Sequence, residues 1–248
     1  MTGATSSGTT PRGVSGEEAA SRWVRGMFGR IAGRYDLLNH LLSFNLDKRW
    51  RARAVDRVAE VLQRPGARVL DLCCGTGDLL LALEARRGSA AWGSDFCHPM
   101  LLEAQRKITA RGLRSPLFEA DALTLPLRED SLDLITVAFG FRNLANYHSG
   151  LTELARVLKP GGVLAILEFS QPSNRAFGTL YGFFSRRVLP WVGGLVSGSR
   201  EAYSYLPESI QKFPGARELA DQMRAAGFKS VDFEPLTLGA VALHVGRK

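Results

Sequence analysis

The segment Val69-Leu70-Asp71-Leu72-Cys73-Cys74-Gly75-Thr76-Gly77-Asp78 carries a short apolar run into two closely spaced glycines. Gly75 and Gly77 permit positive φ and let the backbone approach a ligand with no Cβ in the way, as a binding turn at the mouth of a sheet requires. A dinucleotide-binding turn needs a third small residue at position 80; Leu80 stands there, which argues against NAD or FAD. Asp95 closes the next apolar run, 18 residues past Gly77, where a carboxylate can accept both hydroxyls of a ribose. Asp121 closes the third run and could take the exocyclic amino group of adenine, with the Ala122 backbone beside the ring. Such features at three consecutive strand ends point to an adenosine-containing ligand, because that edge is where doubly wound sheets bind.

Other chemistries fit poorly. Cys73, Cys74 and Cys97 have neither metal-knuckle nor redox spacing, and their odd number fits no disulfide framework, so a reduced compartment and no metal site are expected. No Pro-Cys pair exists for nucleophilic work on cytosine. The fourth apolar run leads into Phe139-Gly140-Phe141-Arg142-Asn143, not a Pro-Pro-aromatic loop suited to exocyclic base amines, so no nucleic-acid substrate is expected.

The elements that must hold these residues are legible from periodicity. Apolar runs at 68–72, 90–94, 117–120, 132–138 and 163–169 alternate with helix-length segments, which predicts βαβ units and a mostly parallel sheet. A helix over 216–226, closed by Gly227, precedes two final strands at 230–235 and 240–245, the last expected to be antiparallel. The fold class is therefore α/β, doubly wound. Residues 17–64 form a helical cap, with Trp23, Met27, Ile31, Tyr35, Leu38 and Leu42 at steps of three or four and Asp47 expected to cap a second helix. Residues 1–16, rich in Gly, Ser and Thr, read as a disordered tail. Residues 65–248 form the main domain, and 171–213 interrupt its alternation as an aromatic insert punctuated by Pro172, Pro190 and Pro207.

Composition is that of a globular chain: 45% hydrophobic against 23% charged over 248 residues rules out disorder and fibrous structure. No signal-like segment and no stretch of about 18 apolar residues is present. A net charge of +8, with nine Lys and Arg against three Asp between residues 20 and 57, suits an anionic surface.

Asp-x-x-x-Gly-x-Gly at 71–77, acids at 95 and 121, and Arg156-Val157-Leu158-Lys159-Pro160-Gly161-Gly162 resemble the S-adenosylmethionine-dependent methyltransferases. That ligand carries a sulfonium and no phosphates, so the glycine turn needs no phosphate-gripping Lys or Arg. The segments Tyr35-Asp36-Leu37-Leu38-Asn39, Phe139–Asn143, Glu168-Phe169-Ser170-Gln171-Pro172, Tyr205–Ile210 and Ala242-Leu243-His244 narrow the resemblance to the ubiquinone/menaquinone biosynthesis C-methyltransferases, over residues 20–248.

The resemblance implies a Rossmann-like seven-stranded methyltransferase sheet with an N-terminal helical cap and an inserted lid. It implies S-adenosyl-L-methionine bound by Asp71, Gly75, Thr76, Gly77, Asp95, Asp121, Ala122 and Ala138. Many members have serine where Ala138 stands, which removes one hydrogen bond, and Asn45 replaces a frequent glycine in a turn. The residues implied to act at the substrate are Tyr35, Arg142 and Asn143, the reaction being C-methylation of a polyprenylated quinol. His244 and His40 are candidate bases; His98 is assigned to the cofactor side and His148 to a helix start. In the insert, Phe177, Tyr181, Phe184, Val188 and Trp191 make an apolar face expected to line a prenyl tunnel, with Arg186 and Arg187 at lipid headgroups. A cytoplasmic enzyme held peripherally at the anionic inner face of the cell membrane is expected, with a homodimer or a quinone-synthesis complex as assembly.

Overall fold

The computed structural model describes residues 8–172 and 200–248, with side chains from Ser204 in the second segment. The lid face from Phe177 to Trp191, with Arg186 and Arg187, lies outside the described residues. The cap comprises α1 (Glu17–Ile31), a 3-10 turn (Ala32–Arg34), α2 (Tyr35–Leu42), α3 (Leu46–Arg57) and α4 (Ala59–Leu62). Then follow β1 (Val69–Leu72), α5 (Asp78–Arg87), β2 (Trp92–Asp95), α6 (His98–Ala110), β3 (Leu117–Glu119), β4 (Leu132–Ala138), α7 (Tyr147–Val157) and β5 (Leu158–Phe169). The chain ends with α8 (Arg200–Lys212), α9 (Ala216–Ala225), β6 (Ser230–Leu236) and β7 (Val241–Arg247).

The seven strands lie in the order β3-β2-β1-β4-β5-β7-β6, with β7 antiparallel to both its neighbours. Order reverses beside β1, so the ends of β1, β2 and β4 open a crevice there. Each face of the sheet is buried: Leu151, Leu154, Leu219 and Met223 of α7 and α9 cover one, and Val55, Val61, Leu79 and Leu83 of α3–α5 cover the other. Gly93 of β2 explains why the glycine turn dispenses with a third small residue: a Cβ on Gly93 would stand 2.8 Å from Leu80 and 2.6 Å from Leu117. The small partner that lets helix and sheet approach sits on the neighbouring strand.

Three expectations change. Of the tail expected over residues 1–16, residues 1–7 lie outside the described residues, while Thr9 is buried and its N–H donates to the Leu144 carbonyl at 2.8 Å. Asp47 does not cap α3; the N-cap position falls to Asn45, which makes no side-chain capping bond and sits at φ 59, a left-handed conformation that asparagine tolerates better than most side chains. Asp47 is held in the first turn by His40, Ser43 and Arg51. Pro207 sits inside α8 rather than ending it, the helix being anchored by buried Tyr205 and Ile210.

Candidate active site

At the end of β1 the chain enters the glycine turn through Cys73 at φ 53, Gly75 at φ 54 and Gly77 at φ 83. Asp95 at the end of β2 ties this turn down, its carboxylate accepting the Gly75 N–H at 2.9 Å and the Cys97 N–H at 2.8 Å. Burial pushes the Asp95 carboxyl up to about 6, so it is largely ionised at neutral pH. In front lies a cavity of about 680 Å³, its open mouth included. Gly75, Asp95, Asp121, Ala122 and Ala138 all line it, and Tyr35 closes it from the cap. The sheet thus brings together residues spread over 63 positions of the sequence from Gly75 to Ala138.

Asp71 and Thr76 line a smaller adjoining recess of about 350 Å³. One Asp71 oxygen accepts from Thr136 at 2.8 Å; the other is buried without a partner, and burial raises this carboxyl to about 7. Thr76 donates to Asp36 of α2, tying the turn to the cap. Gly77 lines neither space, but a Cβ there would stand 3.2 Å from that of Ala104, so it sets the approach of the turn to α6.

A second cavity of about 970 Å³ lies beneath the cap, with Met27, Ile31, Leu42, Trp50, Phe169 and Ile210 among its walls. Phe28, Tyr35 and Phe139 line both cavities and form the partition between them. Phe139 adopts φ 58, uncommon for a bulky residue, and its N–H is fixed on the Leu167 carbonyl at 2.8 Å.

The 3-10 turn Phe141–Asn143 that follows sends Arg142 to the apolar cavity and Asn143 to the cofactor-side cavity. Arg142 is 4% exposed; its guanidinium donates to Glu168 at 2.9 Å and to the Phe139 carbonyl at 2.5 Å, while its Nε has no partner. The guanidinium also lies 5.2 Å from the Phe169 ring centroid. Asn143 accepts the Tyr205 hydroxyl at 2.9 Å. Burial pushes the Tyr35 hydroxyl above its ordinary value, against the pull of Arg142 and Arg51, so it is a proton donor at neutral pH.

Neither candidate histidine lines either cavity. His244 gives Nε2 to the Ala216 carbonyl at 2.7 Å and stacks on Phe233; burial lowers its pKa and it is a neutral structural residue. His40 is bound by Asp47 at 2.7 Å. His98 meets Glu119 at 3.1 Å on the surface, and His148 lies in the first turn of α7. Ligating atoms of His40, Asp47 and Asp78 lie within 4.8 Å of one another, but Arg51 pairs with both carboxylates and Lys107 with Asp78. Fixed cations therefore already occupy the role a metal would take.

Sequence reasoning gave no task to Glu168 and Tyr205. Glu168 stands one residue from the end of β5, so the strand-end rule that found Asp95 and Asp121 could also have found it. Tyr205 carries no local signal, since its partners are remote in sequence.

The ubiE/COQ5 methyltransferase family model matches residues 15–248. A demethylmenaquinone methyltransferase from Thermus thermophilus is 53% identical over 89% of this chain and 99% of its own length. A ubiquinone/menaquinone biosynthesis C-methyltransferase UbiE from Syntrophotalea carbinolica is 44% identical over 90% and 93%. Among solved structures, a SAM-dependent methyltransferase from Thermotoga maritima superposes with TM-score 0.64 at 20% identity, over 90% of this chain and 98% of that one, a likeness of fold. The fold implies S-adenosylmethionine as cofactor, and the ionised, inward-held Asp95 beside a glycine turn open to close approach fits it. With sequence match, sheet order and cavity in agreement, the chain belongs to the ubiE/COQ5 family of S-adenosylmethionine-dependent methyltransferases.

Proposed function

We propose that this enzyme methylates a ring carbon of a polyprenylated quinol, with demethylmenaquinol as substrate. The observation that carries this reading is the apolar cavity of about 970 Å³ sharing Phe28, Tyr35 and Phe139 with the cofactor-side cavity. A large, mainly apolar chamber with the Arg142 and Arg51 guanidiniums in its wall suits an aromatic ring bearing two oxygens and a hydrocarbon tail. The names of the Thermus and three further relatives at 40–44% identity support the naphthoquinol.

S-adenosylmethionine, when bound, supplies a methyl group on a sulfonium. The quinol hydroxyl ortho to the reacting carbon loses its proton to water, and the phenolate so formed places electron density on that carbon. Arg142, buried in the wall of the apolar cavity, stabilises the charge on the phenolate oxygen at close range in a water-poor site. S-adenosylmethionine held at Gly75, Asp95, Asp121 and Ala122 would supply its methyl carbon to that ring carbon, the carbon–sulfur electron pair going to sulfur and the ring proton passing to water. Loss of the ring proton restores aromaticity. Because an anion and a cation annihilate, a dry partition favours the step, and alignment by Tyr35 and Phe139 supplies much of the rest.

Peripheral attachment to an anionic bilayer belongs to the same reading. Among the described residues no helix is long and apolar enough to cross a membrane. Of the seven large apolar side chains exposed among them, Leu37 (62%), Leu41 (50%) and Phe44 (75%) fall within eight residues, on and just past α2. The same helix lines the apolar cavity through Tyr35, Asn39 and Leu42. Exposed Lys48 and Arg49 flank this ridge. A helix apolar on both sides is suited to lie between a chamber and a lipid surface.

The test is methyl transfer from labelled S-adenosylmethionine to reduced demethylmenaquinone and to the demethylated benzoquinol of the ubiquinone pathway, in vesicles. Transfer to the naphthoquinol at the higher kcat/KM is expected. Preference for the benzoquinol would overturn the choice of ring, and transfer to neither would overturn the quinol reading.

A further inference from the structure

Tyr205 of α8 has its hydroxyl 2.6 Å from Thr9 Oγ1 and 2.9 Å from Asn143 Oδ1, and all three residues are buried. The protons in this chain can be assigned. An amide oxygen only accepts, so the single Tyr205 proton goes to Asn143. Burial holds that hydroxyl protonated, and Thr9 must then donate to the Tyr205 oxygen. With the amide oxygen facing Tyr205, donation runs Thr9 to Tyr205 to Asn143. A flipped amide would turn its oxygen towards the Phe139 carbonyl, which stands 3.5 Å from Nδ2, acceptor against acceptor.

With its oxygen committed, Asn143 has its NH2 left for the other side. There the Phe139 carbonyl stands 3.5 Å away, already taken by Arg142 at 2.5 Å. Phe139 is part of the partition between the cavities, and Asn143 lines the cofactor side. We propose that Thr9 and Tyr205 are positioning residues that lock the Asn143 amide with its N–H, not its oxygen, at the junction where the quinol oxygen becomes anionic. This inference rests on the quinol reading of the site.

Thr9 is itself firmly placed. Its N–H is on Leu144 at 2.8 Å, and Lys212 donates to the Thr10 carbonyl at 2.7 Å. Gly8 packs so tightly that a Cβ would fall 1.8 Å from the Ala145 oxygen. The segment before α1 is thus a strap bound to α8, which carries Tyr205, and to Leu144 and Ala145, which directly follow Asn143.

The experiment compares Thr9→Val, Thr9→Ser and Tyr205→Phe with the unaltered enzyme by two readouts. A donor to the phenolate lowers the pKa of the bound quinol, so losing its orientation moves the ascending limb of the kcat–pH profile to higher pH. A shift of about one unit is expected for Thr9→Val and Tyr205→Phe, or about tenfold in kcat on that limb, with recovery at alkaline pH and in Thr9→Ser. The second readout needs no substrate: the Asn143 side-chain amide signal by NMR, assigned by its disappearance in Asn143→Asp. It should move in Thr9→Val and Tyr205→Phe and return in Thr9→Ser. Equal loss of kcat at every pH with an unmoved amide signal would overturn the lock. A moved signal in an enzyme that methylates no quinol would support the lock and overturn the quinol reading.

Discussion

Replacing Glu168 by Gln should cost far more stability than an ordinary isosteric change, and more than removing its partner. The Glu168 carboxylate is 1% exposed; beside the Arg142 guanidinium it accepts the Arg142 backbone N–H at 3.2 Å and the Phe169 N–H at 2.8 Å. Glu168→Gln leaves a guanidinium buried with no counter-charge, and stranding one partner of a buried pair costs about 3–5 kcal/mol. For a chain of this size that is a fall in Tm of about 6–20 °C. Arginine cannot shed its proton to escape the cost. Glutamate can: burial already raises the Glu168 carboxyl, with Arg142 pulling it down. In Arg142→Met that pull is gone and the carboxyl takes up a proton.

The sign follows. A carboxyl whose folded pKa lies above its unfolded one favours the native state at low pH, so Arg142→Met should lose little stability at pH 5 and progressively more towards pH 8. The Glu168→Gln deficit should shrink as pH rises, because the variant removes the raised carboxyl that the parent must ionise, and Arg142→Met/Glu168→Gln should recover about half of it. Urea unfolding at several pH values reads all three. The buried-pair reasoning fails if Glu168→Gln lies within about 1 kcal/mol of the parent, or if Arg142→Met is the more damaging at pH 5.

Two further expectations concern the cofactor and the surface. With its carboxyl raised to about 6 by burial, Asp95 loses its charge as pH falls; if it accepts the ribose hydroxyls, S-adenosylmethionine affinity by calorimetry should be flat from pH 7 to 8 and drop roughly tenfold per unit below pH 6. Asp95→Asn should bind more weakly with no such limb, and a limb that persists would assign it elsewhere. Leu37→Ser/Leu41→Ser should weaken flotation on anionic vesicles by at least about tenfold, since each buried leucine contributes about 1.5–3 kcal/mol. Lys48→Gln/Arg49→Gln should do so by about fivefold or more, at about 1 kcal/mol per cation. Unchanged flotation of both would remove the α2 ridge from membrane contact.

Local chemistry made much of this protein legible in its sequence. Apolar runs of strand length, helix-length spacings between them, and Gly75 and Gly77 after β1 specify a doubly wound sheet, because periodicity and positive φ are properties of a few consecutive residues. Asp95, Asp121 and Ala122 follow from topology alone, since strand ends at a switch point share one crevice. Other features depended on which distant residues meet. Nothing near His244 in sequence says that its ring faces Ala216 and Phe233 and not a cavity. Glu168 becomes the counter-charge of Arg142 only because β5 pairs with β4. Thr9 reads as part of a polar, structureless segment, yet contacts spanning 196 residues to Tyr205 and 62 more to Asn143 bury it. Spacing and turn chemistry determined the frame and the cofactor crevice; hydrogen bonds between remote residues, closed only by tertiary packing, decided which polar groups face the reaction.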